Sequence, residues 1–155
     1  MKKRIAGIMV IIWMVVIFFF SSQPGAESTK TSDSASYQII EWQNYLFHQK
    51  KSEAELMAQA ETIGLVVRKV AHMSEYALLA LLLAFYLSCY SFTTKNWLLL
   101  TWGVTVFYAI SDEIHQLFVP GRAGKITDVC IDSVGAAIGV LLIFILWKKR
   151  KKYDV

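Results

Sequence analysis

Apolar residues fall into four long runs along the chain, separated by short polar stretches and one long one. The first run, Ile5 to Phe20, contains no charge. A helix from Ile5 to Ser22 is about 27 Å long at the α-helical rise, just enough to cross a bilayer's hydrocarbon core. The second is uncharged from Tyr76 to Thr94 and extends back towards Leu65 through Glu75, His72 and Arg68. The third begins at Asn96-Trp97 and is uncharged to Ser111. It continues through Asp112-Glu113-Ile114-His115 to Val119, where Pro120-Gly121 makes a turn. The fourth opens near Thr127-Asp128 and runs to Trp147. The pattern predicts an all-α membrane protein, a four-transmembrane-helix bundle with spans over 5–22, 65–90, 96–118 and 128–147. A single domain covers 1–155, with an outer loop at 23–64 and a basic tail at 148–155. A basic segment before the first run also resembles a signal peptide. Phe18-Phe19-Phe20 followed by Ser21-Ser22-Gln23-Pro24 offers no small-x-small cleavage site, so an uncleaved span is expected.

Composition agrees with the blocks. Of 155 residues, 55% are hydrophobic and 18% charged, and mean hydropathy is +0.44. That excludes a disordered chain and argues against an ordinary soluble enzyme. Two cysteines exclude a disulfide framework; Cys89 and Cys130 are expected at opposite membrane faces, too far apart to bond. The net charge of +4 does not point to nucleic acid, because half of the basic residues sit at the two ends, against apolar runs. Such clusters set orientation and meet lipid headgroups. The N-terminus, Lys95 and the C-terminal tail together hold nine basic residues and one acid, whereas residues 21–66 hold three basic residues and six acids. Both termini are therefore expected in the cytoplasm of a multi-pass protein of the bacterial cytoplasmic membrane. Trp97, Trp102 and Trp147 are expected near the interfaces.

The outer loop has structure of its own. Ser28 to Ser36 reads as irregular. Tyr37, Ile39, Ile40, Trp42 and Tyr45 suggest a short amphipathic segment, either lying on the outer interface or packed as a lid. Ser52-Glu53-Ala54-Glu55 is a capping box, so a helix is expected to start there and run into the second span.

The intramembrane polar residues recur at helical spacing. Arg68, His72 and Glu75 line one face of the second helix. Asp112, His115 and Gln116 share a face of the third, with Glu113 about 100° round. Asp128, Asp132, Gly135 and Gly139 form a stripe on the fourth. Counting helical rise, all three sets lie about 5 to 12 Å inside the outer boundary and can meet in one site. An isolated charge at the centre of a span costs at least about 2.5–3.5 kcal/mol, so these groups must face one another or a water-filled cavity. Hydrogen bonds between membrane helices average only about 0.6 kcal/mol, which makes gluing a poor reason for so many charges. Asp132 with Gly135 and Gly139 is best explained as packing, and the two glycines could also meet a second chain.

Several stretches resemble the VanZ family of small bacterial membrane proteins. They are Ser21-Ser22-Gln23-Pro24-Gly25, then Arg68 to Tyr76 (RKVAHMSEY), and above all Tyr108 to Gln116 (YAISDEIHQ). Phe118-Val119-Pro120-Gly121-Arg122 and Thr127-Asp128 follow. Asp132 departs from the pattern, standing where an uncharged residue such as Asn is expected. The resemblance covers nearly the whole chain. It implies a four-helix fold in a Gram-positive cell envelope and an association with resistance to the glycopeptide teicoplanin. It implies no reaction.

Chemistry comes from the residues. His72, Glu75, Asp112, Glu113, His115 and Asp128 are candidate acid–base groups for an outer-leaflet hydrolase or transferase. Arg68 and Arg122 can clamp a phosphate or carboxylate, and Gln116 can orient a water or carbonyl. The expected partners are membrane lipids or a lipid-linked envelope precursor. A metal is a weaker expectation, since Glu113 and His115, two apart, point away from each other on a helix. No cofactor is named by the sequence. A non-catalytic binder or shield of lipid or antibiotic competes with the enzyme. A proton-coupled transporter comes last, because the inner halves of the spans lack ionisable groups.

Overall fold

The computed structural model describes residues 1–153, and the expected basic tail is partly outside the described residues. Five helices follow one another: α1 (Lys2–Ser21), α2 (Gly25–Leu46), α3 (Glu53–Leu87), α4 (Thr94–Gln116) and α5 (Ile126–Tyr153). Among the described residues there is no strand. Three of the helices, α1, α3 and α5, are long and apolar enough to cross a membrane. The third run forms α4, packed against α5 and α3. Its 23 residues carry Lys95, Asp112, Glu113 and His115.

The helices α1, α4 and α5 each bury a narrow stripe and leave much apolar surface exposed, as lipid-facing helices do. In α1 the buried stripe is Ala6, Val10, Ile17 and Ser21. Ile8, Ile11, Ile12, Val15 and Phe19 point outward. In α4 the stripe is Trp97, Thr101, Thr105, Ala109, then Asp112, Glu113 and Gln116. Its threonines are tolerated inside because each hydroxyl donates to a carbonyl one turn back, Thr101 to Trp97 and Thr105 to Thr101, both at 2.8 Å.

Aromatic N–H and O–H groups pin the helices together. Trp13 Nε1 donates to the Glu75 carbonyl at 2.9 Å and Tyr108 Oη to the Met14 carbonyl at 2.7 Å. Trp97 Nε1 donates to the Ala84 carbonyl at 3.0 Å. Trp97, in the first turn of α4, is buried and lies against Trp147. Burial of an indole requires a partner for its N–H, and the α3 carbonyl supplies it.

The tightest crossing joins α3 and α5. A Cβ on Gly135 would come within 2.1 Å of the Met73 carbonyl oxygen, and one on Gly139 within 2.3 Å of that of Ala77. The two helices therefore touch backbone to backbone. This corrects the expectation that the Gly135/Gly139 face is open to a second chain: α3 of the same chain covers it.

The long loop is a helical hairpin. Ser28 to Ser36, expected to be irregular, is helical within α2. Hydroxyls of Thr29, Thr31, Ser32 and Ser36 donate to the carbonyls of Gly25, Glu27, Ser28 and Ser32, which removes their usual penalty in a helix. Packing along α3 does the rest. Ile40 meets Leu56 and Ala60, flanked by Tyr37 and Ile63. The Ser52–Glu55 capping box forms as expected. At 35 residues α3 is about 52 Å long, well beyond a hydrocarbon core of about 30 Å. Its first half pairs with α2 and its second half with the other three helices. The segment from Tyr37 to Tyr45 thus runs along α3, with Ile39, Trp42 and Tyr45 exposed.

The crossing gives a direct test. Gly135→Val should lower stability in detergent by at least about 2 kcal/mol, because a backbone carbonyl cannot step aside. A Cβ at Gly103 meets nothing, so Gly103→Ala should be neutral or stabilising by up to about 1 kcal/mol. Thermal unfolding of the two variants checks the ranking.

Candidate functional site

Beside the α3–α5 crossing, five segments enclose a cavity of about 700 Å³. Arg68, Lys69 and His72 come from α3; Glu113 and Gln116 from α4; Asp128 and Asp132 from α5. Gly25 and Thr29 enter from α2, and Arg122 and Lys125 from the α4–α5 connection. The polar stripes of α3, α4 and α5 thus converge at one level.

Two short motifs nearly a hundred residues apart build one wall. Gly25 N–H donates to the Pro120 carbonyl at 3.0 Å. A Cβ on Gly25 would lie 2.0 Å from the Gly121 carbonyl oxygen, so only glycine fits. Gly121 itself has φ +71°, the left-handed region that glycine adopts without strain. Arg122 locks the joint: Nε donates to the Gln23 carbonyl and Nη2 to the Phe20 carbonyl, both at 3.1 Å. These carbonyls cap the end of α1.

Arg68 is held from the other side. Its Nε donates to Ser32 Oγ at 3.1 Å and its Nη2 to Thr29 Oγ1 at 2.8 Å. Each arginine has five N–H donors, so each keeps donors to spare for a ligand. The two cations feel each other. Burial first, and the Arg68 charge second, pull the Arg122 guanidinium below its ordinary value, while Asp112, Glu113 and Glu75 pull it back. It remains cationic. Lys69 and Lys125 are exposed beside them.

The carboxylates lie deeper. Glu113 Oε2 accepts from the Lys125 backbone N–H at 2.8 Å. His72 Nδ1 stands 3.8 Å from Glu75 Oε2, one turn along α3. Gln116 Nε2 donates to Asp112 Oδ2 at 3.2 Å. The other Asp112 oxygen, both oxygens of Asp132 and the Tyr76 hydroxyl are buried without a hydrogen-bond partner. Asp132 is only 1% exposed. Packing explains Gly135 and Gly139, but a carboxylate with two bare oxygens at a cavity wall is not packing.

Of the nine residues singled out from sequence, Arg68, His72, Glu113, Gln116, Arg122 and Asp128 line the cavity. Glu75 and Asp112 stand directly behind that lining, against His72 and Gln116. His115 is elsewhere: its Nε2 is 3.1 Å from Ser22 Oγ and its ring is 4.6 Å from that of Phe18, against α1. The buried face of α4 is centred between Asp112 and Glu113, which turns His115 about 110° away. The expectation that Asp112, His115 and Gln116 share one functional face is corrected to Asp112, Glu113 and Gln116. Sequence inspection missed Thr29, Ser32, Lys69 and Lys125. Thr29 and Ser32 lay in the stretch expected to be irregular, and the lysines looked like solvated surface. Among the described residues, no three His, Cys, Asp or Glu side chains are placed to hold one metal ion. Cys89 and Cys130 are both free.

A buried carboxylate without partners costs stability. Asp132→Asn should therefore raise the unfolding free energy of the ligand-free protein by about 1–3 kcal/mol. Denaturation in a fixed detergent checks the sign, and a loss of stability would mean that Asp132 has a partner.

Comparison with known proteins adds a family. No curated protein and no solved structure matches the chain. A family model described as VanZ/LLP1 matches residues 6–147, which include every cavity residue named above. The chain belongs to the VanZ/LLP1 family.

Proposed function

We propose that this protein is a four-span protein of the bacterial cytoplasmic membrane, with both termini inside, whose cavity opens at the outer leaflet and binds a phosphate or carboxylate carried by a lipid or lipid-linked envelope precursor. Occupying or altering that group is how it contributes to resistance against teicoplanin-type glycopeptides. The observation that carries the reading is the pair of half-buried arginines, Arg68 and Arg122. They repel each other at the mouth of one cavity, and among the described residues neither is paired with a carboxylate within 4.0 Å. Two cations held together by neutral partners are arranged for an incoming anion, which guanidinium groups bind bidentately.

A second reading adds chemistry. His72 faces the cavity with Glu75 behind it at 3.8 Å, a pair suited to moving a proton at the bound group. Without a hydroxyl or thiol nucleophile in the cavity wall aimed by such a base, water is the nucleophile that Gln116 and His72 would orient. Binding comes first and does not depend on this step.

Titration of the purified protein with inorganic phosphate tests the binding. Arg68→Gln and Arg122→Gln should each weaken it by about tenfold or more, and Lys95→Gln should leave it unchanged. Unchanged affinity in both arginine variants would remove the proposal. Topology is tested separately in a background without Cys89 and Cys130. A cysteine at Lys50 should react with an impermeant maleimide on intact cells, and one at Lys95 only after permeabilisation.

A further inference from the structure

We propose that the cavity takes a zwitterion: a primary ammonium on Asp132 at its floor, with Asp112 behind, and the phosphate or carboxylate a short linker away between Arg68 and Arg122. This rests on the anion-binding reading and adds a second charge to the ligand.

Charge in the cavity is layered. The cations Arg68 and Lys69 lie midway along α3, and Arg122 and Lys125 in the connection between α4 and α5. The unpartnered carboxylate atoms lie one turn deeper: Asp132 below Asp128 on α5, and Asp112 below Gln116 on α4. One turn is about 5–6 Å along the axis. Among the described residues no lysine or arginine nitrogen comes within 4.0 Å of a carboxylate oxygen, so the mouth does not neutralise the floor.

The floor has an unmet demand for hydrogen atoms. Both Asp132 oxygens are buried acceptors without a donor among the described residues, whereas Asp112 Oδ1 has the Tyr76 hydroxyl beside it. Buried polar atoms in native proteins are satisfied almost everywhere, and exceptions mark a missing partner. A cationic partner suits this floor, because Asp132 with Asp112 behind it attracts a positive charge strongly in a low-dielectric bundle. A primary ammonium carries three N–H donors, enough for both bare Asp132 oxygens, whereas a quaternary ammonium carries none. The cavity's 700 Å³ accommodates such a headgroup. A phosphoethanolamine lipid headgroup and a free amino-phosphate present the same two charges to these walls.

The test is calorimetric titration of the full chain in a non-ionic detergent with O-phosphoethanolamine, phosphocholine and inorganic phosphate. O-phosphoethanolamine should bind about tenfold tighter than either of the others. Asp132→Asn should shrink that preference to about threefold or less while leaving the affinity for phosphate itself within about twofold. Asp112→Asn, which keeps an acceptor for Gln116, should act in the same direction. Equal binding of all three compounds, or a preference that survives both variants, overturns the zwitterion and leaves the anion site standing. Binding of ethanolamine without any binding of phosphate overturns the anion site, and the zwitterion with it. Stabilisation by sodium ions that Asp132→Asn abolishes and O-phosphoethanolamine does not compete away shows an inorganic cation on the floor, and overturns the proposal. Selective retention of phosphatidylethanolamine over phosphatidylcholine by the purified protein supports the proposal and assigns the headgroup to the membrane. Binding of O-phosphoethanolamine without lipid selectivity supports it and assigns a free zwitterion.

Discussion

The backbone contact between α3 and α5 is the constraint on which the rest of the structure depends. Gly135 and Gly139 have no side chain, so the Met73 and Ala77 carbonyls come directly against α5. In a membrane the hydrophobic effect does not drive helices together, and close packing of small residues must do so. Fixing the two helices there places Arg68 and His72 on one side of a gap, and Asp128 and Asp132 on the other. α4 closes the gap through Asp112, Glu113 and Gln116. The cavity is what remains between these helices beside the crossing.

A second joint fixes the mouth. The end of α1, the start of α2 and the connection into α5 are tied by Gly25 against Gly121 and by Arg122 on two carbonyls of the α1 end. This gives Arg122 two roles that share one side chain. Two of its donors hold the wall and the rest face the cavity. Arg68 is built the same way, held by hydroxyls of α2. Neutral partners keep both guanidinium groups oriented without cancelling their charge, which an ion pair would have done. Such pre-organisation spares a ligand the cost of ordering long side chains.

Much of this was legible in the sequence, because membrane helices obey strong rules. The apolar runs anticipated α1, α4, α5 and the second part of α3, and the Ser52–Glu55 box anticipated the start of α3, whereas α2 answers to no apolar run. Helical periodicity placed Arg68, His72 and Glu75 on one face. It failed at His115, because periodicity cannot tell which side of a polar arc faces inward; the burial of Ala109, Asp112, Glu113 and Gln116 in the last turns of α4 decides that. It failed at Ser28 to Ser36, where local propensity pointed away from helix and contact with α3 overrode it. Asp132 looked like part of a glycine packing stripe. Its bare oxygens became visible only when neighbouring helices were in place. The meeting of Gly25 with Gly121 is a long-range contact that no local pattern encodes.

The central claim is that Arg68 and Arg122, from opposite walls, grip one anion. A double-mutant cycle on phosphate affinity addresses it most directly, comparing Arg68→Gln, Arg122→Gln and the pair with the parent chain. Shared contact with a single ligand predicts a coupling of about 1 kcal/mol or more between the two positions. Strictly additive losses would mean that the two guanidinium groups do not meet at one bound group, and would contradict the account.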